Sequence, residues 1–273
     1  MHTKISIITA VYNGSKTLSQ AIESVLAQTY PFIEYIIIDG NSTDNTQRII
    51  RSYEGRISRW ISEPDHGIYD AMNKGLKMAT GDIIGILNSD DFYQNNRVIE
   101  RIVAVFNQEN PDALYGDLMY VDAENTNKIV RYWKAHSYRP NAFLLGWMPP
   151  HPTFFVRREL YDQYGLFDTQ FRCSADYELM LRLIHKNKIR LAYLPELIVN
   201  MRTGGISNKS IASRLLANRE DYLAWQLNNL RPAFYTLWLK PFRKLFQYLA
   251  KPAIENNEHQ NWCKERVLVA KEE

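Results

Sequence analysis

Residues 5–13 read Ile5-Ser6-Ile7-Ile8-Thr9-Ala10-Val11-Tyr12-Asn13. The mostly apolar run Ile5 to Ile8 is short and β-branched, so it predicts a buried strand, with Val11-Tyr12-Asn13-Gly14 as the loop after it. From Ser15, an expected N-cap, Leu18, Ala21, Ile22, Val25 and Leu26 recur at helical spacing until Tyr30-Pro31. Tyr35 to Ile38 predicts a second strand, stopped by Asp39-Gly40-Asn41-Ser42, with a helix expected over Thr43 to Tyr53. A strand at Arg59 to Ser62, a loop at Glu63 to Gly67, a helix at Tyr69 to Ala79 and a strand at Ile83 to Leu87 repeat the rhythm. Strands alternating with helices at this spacing imply βαβ units: an α/β fold with a mostly parallel central sheet and helices on both faces.

Beyond Leu87 the rhythm changes. Val98 to Phe106 predicts a helix, whereas Leu114 to Val121 and Ile129 to Trp133, joined by the polar turn Asp122 to Asn127, predict an antiparallel addition. Thr153 to Val156 reads as a strand, Ala175 to His185 as a helix with Tyr177, Met180, Leu181 and Ile184 on one face, and Ile211 to Leu227 as a helix after a break at Gly204-Gly205.

Composition narrows the class. The chain has 273 residues, 33 Lys and Arg against 30 Asp and Glu, and 45% hydrophobic residues, enough for a generous core without metal or disulfide staples. Charged residues at 23%, with Gly 12 and Pro 11, exclude collagen-like, disordered and low-complexity classes. A net charge of +3 argues against a dedicated nucleic-acid binder. Cys173 and Cys263 form no CxxC pair, which predicts a reducing compartment. The start of the chain lacks a signal-peptide core, and no run reaches the roughly 18 apolar residues of a spanning helix, so a cytoplasmic location is expected.

Leu230 to Pro252 stands apart: it contains no acidic residue, but has Arg231, Lys240, Arg243, Lys244 and Lys251 among aromatics. Phe234, Trp238, Phe242, Leu245, Phe246 and Leu249 share one predicted helical stripe with the cations largely opposite, a pattern that suits packing on protein or lying on an anionic bilayer. The expected organisation is therefore residues 1–228 as the α/β domain, in two halves (1–110 and 111–228), followed by a basic amphipathic extension (229–273).

In an open α/β sheet, ligands bind beyond the carboxyl ends of the strands. Three such ends carry Thr9 to Asn13, Asp39 to Asp44, and Asn88-Ser89-Asp90-Asp91. Asp and Asn also cap helices and make turns, and for Asn13 and Asp44 that role weighs equally. Adjacent carboxylates at a buried strand end repel one another unless a cation neutralises them, so Asp90 and Asp91 predict a site for Mg²⁺ or Mn²⁺ shared with a diphosphate. Neither GxGxxG after the first strand nor GxxxxGK[ST] anywhere is present, which disfavours dinucleotide and P-loop enzymes.

Five ordered blocks then carry a family resemblance: Ser6 to Asn13; Ile38-Asp39-Gly40-Asn41-Ser42-Thr43-Asp44; Glu63-Pro64-Asp65-His66-Gly67-Ile68-Tyr69-Asp70-Ala71-Met72-Asn73-Lys74-Gly75; Ala79-Thr80-Gly81-Asp82; and Leu87-Asn88-Ser89-Asp90-Asp91. Together they resemble the family 2 glycosyltransferases of GT-A fold, of the bacterial surface-polysaccharide type, over about residues 1–205. His151-Pro152-Thr153-Phe154-Phe155, Gly165 to Asp168 and Ala175 to Glu178 continue it. The resemblance implies inverting transfer of a hexosyl group from a UDP- or GDP-sugar to a hydroxyl of a saccharide or lipid-linked saccharide. It implies that Thr9, Ala10, Tyr12 and Asn13 frame the base, that Asp39 bonds its edge, and that Asp65 and Lys74 hold the nucleotide and its phosphates. Asp90 and Asp91 match the DxD site, one carboxylate for ribose and one for the metal. Asn88 stands where many relatives have the first Asp, which leaves the division of roles open.

Asp176 matches the family's second acidic motif and is the expected general base, taking the acceptor proton as the hydroxyl attacks. Glu178 is the second choice. His151 suits either an acceptor contact or a structural hydrogen bond, as does His66, and Gly204-Gly205 resembles the family's closing loop. The alternative from another class is a noncatalytic nucleotide-sugar or glycan-binding subunit of a membrane-associated synthase, which product formation by the purified chain separates; a nucleotidyltransferase would instead release pyrophosphate.

Overall fold

The computed structural model describes residues 2–204, 211–236 and 239. The first part runs β1 (Ile5–Val11), α1 (Leu18–Leu26), β2 (Ile33–Asp39), α2 (Thr46–Ser52), β3 (Arg59–Ser62), α3 (Ile68–Met78) and β4 (Ile83–Ile86). There follow β5 (Phe92–Tyr93), α4 (Val98–Glu109), β6 (Ala113–Val121), β7 (Ile129–Trp133), β8 (Phe155–Arg157), α5 (Arg158–Tyr164), α6 (Ala175–Met180), a π-helical turn (Leu181–Lys186), β9 (Leu191–Arg202) and α7 (Ile211–Leu227). The strands form one sheet in the order β3-β2-β1-β4-β8-β6-β9-β5, with β7 paired to β6. Pairs β3-β2, β2-β1, β1-β4 and β6-β9 are parallel.

Burial on both faces explains why the first strands read as unbroken apolar runs. Ile8, Ala10, Ile36 and Ile38 point to the face covered by α3 through Tyr69, Met72 and Leu76. Ile5, Ile7, Tyr35 and Ile37 point to the other, covered by α1 through Leu18, Ile22 and Val25 and by α4 through Ile99, Ile102 and Phe106. Each fully buried Ile contributes about 1.5–3 kcal/mol relative to exposure. Gly75 lets α3 approach β1 closely, since a Cβ there would stand 2.4 Å from Cγ2 of Ile8.

Several boundaries differ from the sequence expectation for physical reasons. Helix α1 starts at Leu18 rather than near Ser15, because the Gly14 carbonyl first accepts from the N–H groups of Thr17 and Leu18. Helix α2 starts at Thr46 rather than Thr43, because side chains of Asn13 and Asp44 take the intervening N–H groups. The strand expected from Thr153 begins at Phe155, after a 3₁₀ turn over His151–Thr153. Strand β9 escapes the hydropathy pattern because Pro195-Glu196 interrupts it. The pairing jumps from Gly116–Leu194 to Asp117–Leu197, so those two residues bulge out and the strand continues.

The expected antiparallel addition is present: β7 pairs antiparallel with β6, β6 with β8, and β8 with β4. Among the described residues no helix is long and apolar enough to cross a membrane. Most of the basic aromatic segment expected over 229–273, and Gly205 of the Gly204-Gly205 break, lie outside the described residues.

Candidate active site

Strand order reverses at β1, where β2 and β3 extend to one side and the chain later returns on the other as β4. That arrangement opens a crevice at the carboxyl ends. Val11 aligns with Asp39 across β1 and β2, and the Leu87 N–H donates to the Ile8 carbonyl at 3.0 Å, so the three expected loops meet there.

The loops after β1 and β2 hold each other. The Asn13 N–H donates to Ser42 Oγ at 2.8 Å and the Gly14 N–H to Thr46 Oγ1 at 2.9 Å, while Asn13 Oδ1 accepts from the Thr43 N–H at 2.9 Å. Asn13 (φ 51°) and Asn41 (φ 62°) adopt the left-handed conformation that asparagine tolerates best after glycine. Between them the Tyr12 side chain stands out, 63% exposed. Thr9 and Ala10 differ from the expectation that they frame a base directly. They lie within β1, buried, and Thr9 Oγ1 pairs with the Tyr35 hydroxyl at 3.2 Å.

Asp39 is also buried, and its carboxylate accepts from the Ser42 N–H and hydroxyl and from the Ser62 hydroxyl at 2.6 Å. It thus secures the loop after β2 from beneath, rather than presenting a carboxylate at the surface. Asp65 comes over the top of that loop. A Cβ on Gly40 would stand 2.3 Å from Asp65 Oδ2 and 3.5 Å from Tyr12 Cδ2, so Gly40, Tyr12 and Asp65 form one small cluster. Asp65 Oδ1 accepts from the Gly67 N–H at 2.8 Å, and Gly67 (φ 115°) makes the sharp entry into α3. Lys74, nearly two turns into α3, donates to the Pro64 carbonyl at 2.7 Å and pairs with Glu63 at 2.9 Å, which holds its ammonium above the usual lysine range.

At the end of β4 the two neighbouring carboxylates separate. Asp90 is partly exposed, whereas Asp91 is fully buried. Asp91 accepts from the Asn88 amide at 2.8 Å and the Arg202 N–H at 3.3 Å. Burial and then the charge of Asp90 hold its carboxyl well above the usual range, against those two hydrogen bonds. The Arg202 guanidinium, at the end of β9, donates to the Asp90 carbonyl and to the Gln20 side chain on α1. The two carboxylates, expected to share the ribose and the metal with their division of roles left open, thus differ in setting: Asp90 is partly exposed, and Asp91 ties the loop to β9. Arg202 was missed in the sequence because its strand was missed.

Among the described residues no three His, Cys, Asp or Glu side chains gather as a metal cage. One partly exposed carboxylate, next to a second whose charge is disfavoured by burial and by the first, still fits Mg²⁺ or Mn²⁺, ions that take one or two carboxylates and complete their shell with phosphate and water.

The acidic motif of the second half opens α6. Asp176 Oδ1 accepts from the Tyr69 hydroxyl at 3.2 Å, and Oδ2 lies 4.0 Å from His151 Nδ1. The loop before it is anchored from α7, where Glu220 accepts from the N–H groups of Arg172, Cys173 and Ser174 at 2.8–2.9 Å. Glu178, the second choice as base, is buried, paired with Arg182 at 2.8 Å and bonded by Asn228 at 2.9 Å, so it serves the packing of α6 on α7. His185 packs between Phe143 and Trp225, and His66 donates its N–H to Asp70 at 3.1 Å.

Comparison with known proteins agrees with this geometry. An uncharacterized glycosyltransferase of Mycobacterium tuberculosis is 32% identical over 180 residues, covering 65% of this chain and 68% of that protein. A PGL/p-HBAD biosynthesis glycosyltransferase of Mycobacterium bovis is 26% identical over 216 residues, covering 77% and 82%. An uncharacterized glycosyltransferase of Rickettsia conorii is 30% identical over 192 residues, but the match spans only 31% of its length. Among solved structures, Staphylococcus aureus TarS 1-349 in complex with UDP-GlcNAc superposes with a TM-score of 0.64 at 18% identity, covering 82% of this chain and 65% of that one. The mannosyltransferase PcManGT from Pyrobaculum calidifontis, in complex with GDP-Man and Mn²⁺, gives 0.63 at 16%, covering 99% and 81%. These likenesses establish the GT-A fold. Residues 6–165 match the family described as glycosyl transferase family 2, and with the crevice they build, the chain belongs to that family.

Proposed function

We propose that the chain transfers a sugar, with inversion, from a nucleoside diphosphate donor to the hydroxyl of a saccharide or lipid-linked saccharide, in bacterial surface-polysaccharide synthesis. The observation that carries this is the placing of Asp176, half-buried and hydrogen-bonded by Tyr69, the first buried residue of the helix that follows the Asp65 loop. The carboxylate of the acceptor half is thereby held by the element that organises the donor loop.

In this reading the first 110 residues hold the donor and residues 111–228 the acceptor. The exposed Tyr12 ring offers its face to the base, and the Asp65 carboxylate offers its remaining lone pairs to a donor N–H or hydroxyl. Asp39, Ser42 and Asn13 keep those two in place. Lys74 supplies positive charge beside the same loop. Asp90 would hold Mg²⁺ or Mn²⁺, which when bound neutralises charge growing on the departing diphosphate. Asp176 takes the acceptor proton as the new bond forms, on the face opposite the leaving group, so one displacement inverts the anomeric centre. The basic aromatic composition of residues 230–252 supports contact with an anionic membrane at its cytoplasmic face.

The test is product formation by the purified chain with a panel of UDP- and GDP-sugars, with and without Mn²⁺. Asp176→Asn should retain donor binding and lose about 10²–10⁴-fold in transfer. Transfer at the wild-type rate by that variant would remove the base assignment.

A further inference from the structure

Helix α3 carries two pairs of polar residues at i, i+4 spacing, on adjoining faces, and each pair serves a different half of the molecule. Asp70 and Lys74 serve the donor loop: Asp70 accepts from the His66 N–H at 3.1 Å, and Lys74 donates to the Pro64 carbonyl at 2.7 Å. Tyr69 and Asn73 serve the other half. Tyr69 donates to Asp176, and the Asn73 amide exchanges two hydrogen bonds with the backbone of Phe167, at 2.8 Å to its carbonyl and 3.0 Å from its N–H. Phe167 in turn stacks on the Tyr69 ring at 5.7 Å and meets the His151 ring edge-on at 6.1 Å. His151 lies beside the second oxygen of Asp176, and its buried Nε2 has no hydrogen-bond partner among the described residues.

Residues four apart on a helix lie one above the other. One face of α3 therefore sets both the hydroxyl that meets Asp176 and the Phe167 ring that backs that hydroxyl. Burial, then the charge of Asp176, keep the Tyr69 phenol protonated far beyond the usual range, so it is a permanent donor. A carboxylate that accepts a single directed O–H bond is limited in rotation, and a proton acceptor misplaced by even an ångström loses much of its effect.

We propose that Tyr69 is a positioning residue for Asp176, with Asn73 and Phe167 as its support, and that α3 is the strut through which order in the donor loop is passed to the base. The inference rests on the assignment of Asp176 as base.

The experiment is a double-mutant cycle on kcat with saturating donor, using Tyr69→Phe, which keeps the ring and its stacking and removes only the hydroxyl, and Asp176→Asn. Donor Kd by calorimetry and Tm are measured alongside. Tyr69→Phe should lower kcat about tenfold or more, a share of the roughly 10²–10⁴-fold that a general base is worth, with donor Kd and Tm unchanged. In the Asp176→Asn background the same change should have no further effect on the residual rate. Asp176→Asn inactive with Tyr69→Phe at the wild-type kcat overturns the positioning role and leaves the base assignment standing. An equal loss from Tyr69→Phe in both backgrounds overturns it too, since Tyr69 would then act independently of Asp176. Full activity in Asp176→Asn removes the base assignment itself, and this inference with it.

Discussion

Gly40→Ala isolates the contact between the loop after β2 and Asp65. The new methyl would stand 2.3 Å from Asp65 Oδ2, where ordinary carbon contacts lie at about 3.5 Å, so the carboxylate must retreat by about 1 Å. The obstacle is the far end of a rotatable side chain, and Gly40 has no left-handed φ, so folding should change by less than about 1 kcal/mol. Donor binding should suffer far more. A hydrogen bond involving a charged group is worth about 1.5–3 kcal/mol, equivalent to about 10- to 100-fold in Kd. Calorimetric titration with UDP and GDP, beside a thermal melt, separates the two effects. Asp65→Ala should weaken binding by a similar factor, and the double variant should be no worse than either single one, because all three remove one contact. Wild-type affinity in Gly40→Ala, or additive losses in the double variant, would refute the place given to Asp65 at the donor.

Two further substitutions probe the acid pair and the sheet. Asp90→Asn should abolish Mn²⁺-stimulated donor turnover, whereas Asp91→Asn, whose single oxygen can keep one of the two bonds that Asn88 and Arg202 donate to separate carboxylate oxygens, should keep a measurable part of it; equal loss in both would show that Asp91 also faces the ligand. Glu34, in β2, is buried; desolvation disfavours its charge, but hydrogen bonds from Ser6, Thr80 and Lys4 outweigh that and draw its pKa from 4.5 to about 2. A depressed carboxylate adds stability above its unfolded pKa and loses it as pH falls from about 4.5 toward 2. With solvent around Lys4 discounting the shift, the contribution is about 2 kcal/mol. Urea melts at pH 7 and pH 3 should show a steeper loss for wild type than for Glu34→Gln, and parallel losses would contradict the assignment.

The amino-acid sequence by itself determined the first half of the sheet and where its crevice opens. Strands β1 to β4 and helices α1 and α3 are local patterns: apolar runs such as Ile36 to Ile38, and helical stripes such as Leu18, Ala21, Ile22 and Val25, state their structure within a few residues. The Asp90-Asp91 pair at a strand end was legible for the same reason, whereas Asp65 and Asp176 stood out only through the family resemblance of their blocks.

Only the tertiary structure decided which of two adjacent acids turns inward, because Asp91 is buried by the N–H of Arg202, 111 residues later, on a strand that Pro195-Glu196 disguises. It likewise decided that Thr9, Ala10 and Asp39 lie beneath the crevice, and that Tyr69, outwardly one more apolar position of α3, reaches Asp176 across 107 residues of chain. Side-chain periodicity reports which face of an element is buried. It carries no information on which distant polar group meets that face, since that follows from how the later strands β6, β8 and β9 close against the first four.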